Sequence, residues 1–159
     1  MLHLIPAPLH RQGLRLAHRL RKHWWKVAGR QITGCRVLAL DEQGRVLLIR
    51  HSYGSGKWMP PGGGLARGET PIAAALRELH EETGCKLIDP AEIDCLEESQ
   101  HGAPHRVHIV MGRAIGLLRP DGREILAARF FALDGLPDLL VSGYREALPR
   151  WLSEGGSDG

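Results

Sequence analysis

Gly63-Gly64-Leu65-Ala66-Arg67-Gly68-Glu69-Thr70-Pro71-Ile72-Ala73-Ala74-Ala75-Leu76-Arg77-Glu78-Leu79-His80-Glu81-Glu82-Thr83-Gly84-Cys85 is the stretch from which the rest of the chain can be read. It divides into a glycine-rich lead and a helix. Thr70 is an N-capping residue type and Pro71 suits the first helical position. The helix is expected to run to about Thr83, where Gly84 ends it in the left-handed conformation. Ala73, Ala74, Leu76 and Leu79 are its expected packing face. Glu78, Glu81 and Glu82 stand at i, i+3 and i+4, which puts three carboxylates on one face within a turn. Like charges so spaced repel and weaken an isolated helix. A hard divalent cation with oxygen ligands offsets this, and Mg²⁺ is the ordinary choice when phosphate shares the coordination sphere. The glycines let the preceding loop fold tightly and bring backbone groups to the same ion. Three glutamates alone are more commonly a solvated helix face; the flanking residues change the reading.

Working outward, residues 32–40 are rich in β-branched and aliphatic side chains and read as a strand. Asp41-Glu42-Gln43-Gly44 is a turn, and residues 45–50 return as a second strand. The unbroken run Val46-Leu47-Leu48-Ile49 predicts burial on both faces. Residues 51–68 are a long segment rich in Gly and Pro. Beyond the helix, residues 88–97, 105–118 and 129–133 read as strands, and Gly135-Leu136-Pro137 as a turn. A last helix is expected over 142–152, with Tyr144, Leu148, Trp151 and Leu152 on its apolar side. At the other end, Leu9, Leu16, Leu20, Trp24 and Val27 recur at helical spacing, up to Gly29. The order predicts a mixed sheet with helices on more than one face.

The segment 63–85 resembles the Nudix box, Gly-x5-Glu-x7-Arg-Glu-U-x-Glu-Glu-x-Gly-U, where U is a bulky apolar residue. Gly63, Glu69, Arg77, Glu78, Glu81, Glu82 and Gly84 fall on its fixed positions, and Leu79 on the first U. Chance would supply seven such matches at a given start about once in 10⁸. Cys85 departs mildly from the second U, since a free cysteine behaves as a small hydrophobe. Trp58-Met59-Pro60-Pro61-Gly62-Gly63, the hairpin before it, and residues 129–137 extend the likeness.

The resemblance implies an α/β fold, the Nudix α/β/α sandwich with a mixed central sheet, and a loop–helix–loop box. It implies a hydrolase for a phosphoanhydride bond in a nucleoside diphosphate derivative, using Mg²⁺, or Mn²⁺ in its place. Glu78, Glu81 and Glu82 are the implied metal ligands, Glu78 being alternatively the residue that deprotonates water. The Gly62 carbonyl is a further candidate ligand. Arg77 and Glu69 are expected to tie loop to helix and hold the carboxylates in place; a direct phosphate contact is the alternative for Arg77. Gly63, Gly64 and Gly84 shape the loop. An additional carboxylate from outside the box is sought among Glu97, Glu98 and Glu124, with Glu124 preferred. Trp58 or Tyr53 is expected to stack on a base, core packing being the alternative for Trp58.

The composition sets bounds. The chain has 159 residues, 43% hydrophobic and 25% charged, which fits one globular domain rather than disorder. Residues 31–154 are the expected Nudix domain, 1–30 a basic amphipathic helical extension, and 155–159 a polar tail. No acidic residue precedes Asp41, while Arg11, Arg15, Arg19, Arg21, Lys22, Lys26, Arg30 and Arg36 do. A solvated helix face is the expected role of these charges, ahead of nucleic acid or anionic lipid. The helix's apolar stripe would cover the sheet or form a homodimer contact. Cys35, Cys85 and Cys95 lack metal-type spacing and read as free thiols in a reducing cytoplasm. His101, His105 and His108 read as loop and strand positions rather than a zinc site. No run is long enough for a membrane span. The expected partner is a small nucleotide. The alternatives are a non-catalytic nucleotide-binding module on the same fold, and a nucleic-acid binder acting through the basic segment.

Overall fold

The computed structural model of the protein describes residues 32–100 and 103–154. The helix expected over 9–27, His101 and the polar tail lie outside the described residues. The turn at 41–44 forms as read. Asp41 Oδ1 accepts from the N–H groups of Gln43 and Arg45 at 3.0 and 2.8 Å. The Gly44 N–H reaches the Asp41 carbonyl at 3.0 Å, with Gly44 at φ +72°. The turn joins β1 (Ile32–Leu40) to β2 (Val46–His51), antiparallel, with Leu40 opposite Val46. Val46 to Ile49 are fully buried, as the unbroken apolar run requires.

Past the turn the two strands take different neighbours. β2 pairs with β3 (Trp58–Met59), and β1 with β4 (Gly62–Gly64). These short strands lie inside the Gly- and Pro-rich segment 51–68. Their Gly and Pro content masks them, because the pairing comes from β1 and β2 rather than from local propensity. β5 (Lys86–Gln100) and β6 (Ala103–Ile115) form a long antiparallel pair. β6 runs parallel to β1 from Ile32↔His105 to Leu40↔Arg113. β7 (Ile125–Phe131) pairs antiparallel with β2; it begins before the expected Arg129. The result is a seven-stranded mixed sheet in the order β3-β2-β1-β6-β5, with β4 added to β1 and β7 to β2.

Helix α1 (Pro71–Thr83) has the expected bounds. Thr70 Oγ1 accepts from the Ala73 N–H at 3.2 Å. Gly84 sits at φ +77° and donates to the His80 carbonyl at 2.9 Å. Its buried face is Ala74, Ala75, Leu79 and Thr83. Ala73 and Leu76, expected inside, are exposed, because the helix turns its Ala75–Leu79–Thr83 stripe to the sheet. Thr83 is satisfied there by the Leu79 carbonyl at 2.6 Å and the Cys85 N–H at 3.2 Å.

Helix α2 (Tyr144–Glu154) covers the other face. One core joins α1 to Cys35, Val37, Ala39, Leu47 and Val110. The second joins Leu148 and Trp151 of α2 to Leu38, Val46, Leu48, Val107 and Ile109. Burial of a side chain such as Leu148 contributes about 1.5–3 kcal/mol. The layers are α/β/α, and they set the C-terminal half of α1, with Arg77, Glu78 and Glu82, against β4.

Candidate active site

The site is built where β4 meets α1. The bonded pairs Val37 to Pro61 (2.8 Å) and Leu65 to Thr33 (3.0 Å) alternate with the pair Arg36↔Gly62 between them. In an antiparallel ladder that intermediate pair is not hydrogen-bonded, so the N–H and C=O of Gly62 point away from β1. The N–H donates to Glu82 Oε2 at 2.9 Å. Only glycine fits here: φ is +153°, and a Cβ would lie 2.1 Å from the Cys35 carbonyl oxygen. At Gly63 the absent side chain leaves the space that the Glu78 carboxylate fills, its Oε1 lying 2.5 Å from where a Cβ would be.

Arg77 organises the remainder. Its Nε and Nη2 donate to the two oxygens of Glu69 at 2.7 and 2.9 Å, a bidentate pair between loop and helix. Nη2 also donates to the Gly64 carbonyl at 3.2 Å, Nη1 to Glu78 Oε1 at 2.6 Å, and Glu81 Oε2 lies 3.6 Å away. Glu69 in turn accepts from the Ala66 N–H at 2.7 Å. These contacts, with Glu69 foremost, hold the guanidinium charged far above its usual range.

The Glu82 side chain is half-buried, and its pKa is pushed up to about 8. Burial is the largest cause; the charges of Glu78 and Glu81 add to it, while the Gly62 N–H and Arg36 work against it. A half-buried carboxyl among like charges, beside an outward-facing carbonyl, is an all-oxygen donor set. That is what a hard divalent cation requires. Cys35, behind Gly63, is pushed up to about 11, chiefly by burial, and stays a thiol; it is no nucleophile.

Outside the box, Glu124 is brought to this place. The Ser52 N–H donates to its carbonyl at 2.9 Å, and Asp121 Oδ1 caps the N–H groups of Arg123, Glu124 and Ile125. Partial burial raises the phenol pKa of half-exposed Tyr53, and the charges of Glu124, Glu82 and Glu78 add to it. Glu97 instead pairs with Arg106 at 2.9 Å on the β5–β6 hairpin, and Glu98 belongs to the same hairpin. Trp58 belongs to the second core, with Phe131 edge-on at 5.0 Å and the Arg50 guanidinium 5.6 Å from its ring centre. Arg36 was counted in the sequence only among the basic residues. It faces Gly62 across β1 and β4, half-buried, and acts on both Glu82 and Tyr53. Its one sequence signal is a lone cation in the middle of an apolar strand.

Comparison with known proteins gives the family. The NUDIX domain family model matches residues 31–151. A Mycobacterium tuberculosis protein, provisionally named 8-oxo-dGTP diphosphatase 2, is 36% identical over 144 residues, covering 83% of this chain and 92% of its own. An RNA pyrophosphohydrolase of Roseobacter denitrificans is 37% identical over 119 residues, 73% of this chain and 72% of its own. The crystal structure of a MutT NUDIX hydrolase from Burkholderia pseudomallei superposes with a TM-score of 0.67 at 28% identity, covering 76% of this chain and 98% of that one. The chain belongs to the Nudix hydrolase family. Members of this family are enzymes that act on pyrophosphate bonds of nucleotides and generally use divalent metal ions. No helix among the described residues is long and apolar enough to cross a membrane.

Proposed function

We propose that the protein hydrolyses a phosphoanhydride bond in a nucleoside diphosphate derivative, with Mg²⁺ as its ion and Mn²⁺ able to replace it. The observation that carries this reading is the half-buried Glu82 carboxyl, bound to Gly62 and pressed by Glu78 and Glu81. Glu78, Glu81, Glu82 and the Gly62 carbonyl would hold the metal. When bound, the ion neutralises the diphosphate and activates water for in-line attack on phosphorus.

The chain's own residues do the rest. Glu82 would hold the ion as a carboxylate, kept in place by the Gly62 N–H. Glu78, seated under Gly63, is placed either to ligate or to take a proton from water. Arg77 and Glu69 fix the loop against the helix, so the carboxylates keep their spacing without reorganisation. Arg36 offers a guanidinium at the edge of this cluster, suited to a phosphate oxygen. Glu124 supplies a further carboxylate from the β7 side, and Tyr53 an exposed ring for a base.

Two relatives are named for diphosphatase action on 8-oxo-dGTP and for pyrophosphohydrolase action on RNA, which favours a nucleotide substrate. A small nucleotide is the favoured substrate class. Free cysteines fit a reducing, cytoplasmic setting. A non-catalytic module is disfavoured because every box glutamate is present.

The test is a panel of nucleoside triphosphates, nucleotide sugars, dinucleotides and 5′-triphosphorylated RNA, scored for phosphate and pyrophosphate release. Turnover should require Mg²⁺, stop in excess EDTA and return on adding Mg²⁺. Full turnover in excess chelator would rule the mechanism out, and silence across the panel with Mg²⁺ and Mn²⁺ would favour the binding module.

A further inference from the structure

β5 contains a register slip that the catalytic box does not need. Glu92 pairs with Val110, Asp94 with Ile109 and Cys95 with His108, leaving Ile93 as an extra residue. In a regular strand, residues three apart point to opposite faces. The bulge absorbs one position and puts Glu92 on the same face as Cys95. Side-chain contacts bear this out. Ile93 packs in the second core, and Asp94 accepts from Trp151 Nε1 at 2.7 Å, so both look toward α2. Glu92 and Cys95 are left on the opposite face, where Cys95 stands directly across from His108.

A carboxylate, a thiol and an imidazole therefore converge, their ligand atoms all within 4.8 Å of one another. His108 Nδ1 lies 2.5 Å from Glu92 Oε1. A tetrahedral ion would hold such atoms about 3.3–3.8 Å apart, given metal–ligand bonds of about 2.0–2.3 Å. That spacing falls between the two observed limits, and exposed Glu92 can reach it by a change of rotamer. The adjacent cation, Arg106, is paired with Glu97 at 2.9 Å.

We propose that Glu92, Cys95 and His108 form a second metal site, selective for a borderline-soft divalent ion of the zinc class. Sulfur, nitrogen and oxygen donors together suit Zn²⁺, whereas the all-oxygen set at the box suits Mg²⁺. One face of the protein thus sorts two ions by ligand chemistry. His108 is also the register partner of Cys35 on β1, so the site stands one strand outward from the thiol behind Gly63. Three protein ligands leave a fourth position for water. The sequence hides this site, because Glu92, Cys95 and His108 have no recognisable ligand spacing and the bulge alone aligns them.

The experiment is a Co²⁺ titration of the full chain in excess Mg²⁺, which keeps the box carboxylates occupied. Cobalt bound to a thiolate gives a near-ultraviolet sulfur-to-metal charge-transfer band that oxygen ligands cannot produce. A single saturable band is expected, bleached by Zn²⁺. Cys95→Ser should abolish it, and Glu92→Gln and His108→Ala should each weaken Co²⁺ binding at least about tenfold. Glu82→Gln should leave it unchanged, which separates this site from the box. Circular dichroism verifies that each variant is folded, and Cys95→Ser with Glu92→Gln suffices should His108→Ala fail to fold. No band in the native protein, or a band undiminished in Cys95→Ser or in Glu92→Gln, overturns the proposal.

Discussion

The two helices cover opposite faces of one sheet, and each has one acidic group at its packing boundary, yet the two carboxyls are treated in opposite ways. Glu82 on α1 is half-buried, flanked by Glu78 and Glu81, and pushed up to about 8. Asp94 on β5, facing α2, is held below its ordinary range, first by Trp151 Nε1–H and then by its own neighbours Cys95 N–H and Arg150. Near α2 the charge is satisfied by partners within the chain. At α1 it is opposed by burial and by like charges. A carboxyl kept at a cost to the fold is a sign of function, and one fully partnered is a sign of structure. The comparison therefore separates what the protein needs in order to fold from what it needs in order to react.

The largest effect that tests this separation is on catalysis. Glu82→Gln keeps the shape and an acceptor for the Gly62 N–H but removes the charge. Turnover should fall at least about a thousandfold. The sign for stability is the reverse. A carboxyl whose folded pKa is raised favours the fold at low pH, and this contribution is lost as pH rises toward about 8. Without metal, Glu82→Gln should be at least as stable as the native protein above pH 8, by urea denaturation. Near-normal turnover, or a large loss of metal-free stability, would break the contrast from the α1 side.

Trp151→Ala attacks the other side. Trp151 is 1% exposed and central to the second core. Its removal should cost about 3–5 kcal/mol, seen as a lower urea midpoint. Where the variant is still folded, turnover per folded molecule should stay near native. A loss of turnover without a loss of stability would show that α2 shapes the site after all.

How far each region was legible follows from where its forces come from. The bounds of α1 rest on local chemistry, namely Thr70, Pro71 and Gly84, and were readable without a structure. The carboxylate spacing is equally local. β3 and β4 were not readable, because their pairing partners lie elsewhere in the chain. The inward turn of Ala75 rather than Ala73 depends on how the helix axis meets the sheet, and alanines on neighbouring faces look alike in sequence. Arg36 became a site residue only when β4 placed Gly62 opposite it. The Asp94–Trp151 bond joins residues far apart in the chain, and no spacing announces it.

A smaller effect comes from the residues that support the box. Arg77→Lys keeps the charge but loses the bidentate grip on Glu69 and the contact with the Gly64 carbonyl. The expected result is a 10–100-fold loss in Mg²⁺ activation or turnover, about the size typical of groups that orient metal ligands. The Mg²⁺ dependence of rate measures it. An unchanged activation curve would mean that the loop holds its position without the pair.

The smallest effect sharpens the comparison from the structural side. Asp94→Asn leaves an acceptor for Trp151 Nε1–H but removes the charge that also faces Arg150, 3.1 Å away. The loss at neutral pH should be about 1 kcal/mol, below that of a fully buried charged bond, because the Arg150 side is open to solvent. The pH dependence is the more telling measurement. A carboxyl with a depressed folded pKa stabilises the protein above its unfolded pKa, about 4, and that contribution is lost as pH falls through the folded value. The native protein should therefore lose stability on acidification through this range, and Asp94→Asn should lose less, so that the two curves converge in acid. This is the opposite limb from Glu82, whose contribution disappears toward alkaline pH. Curves that ran parallel from pH 7 into acid would show that Asp94 keeps the same proton affinity folded and unfolded, and the assignment of its charge to the fold would fail.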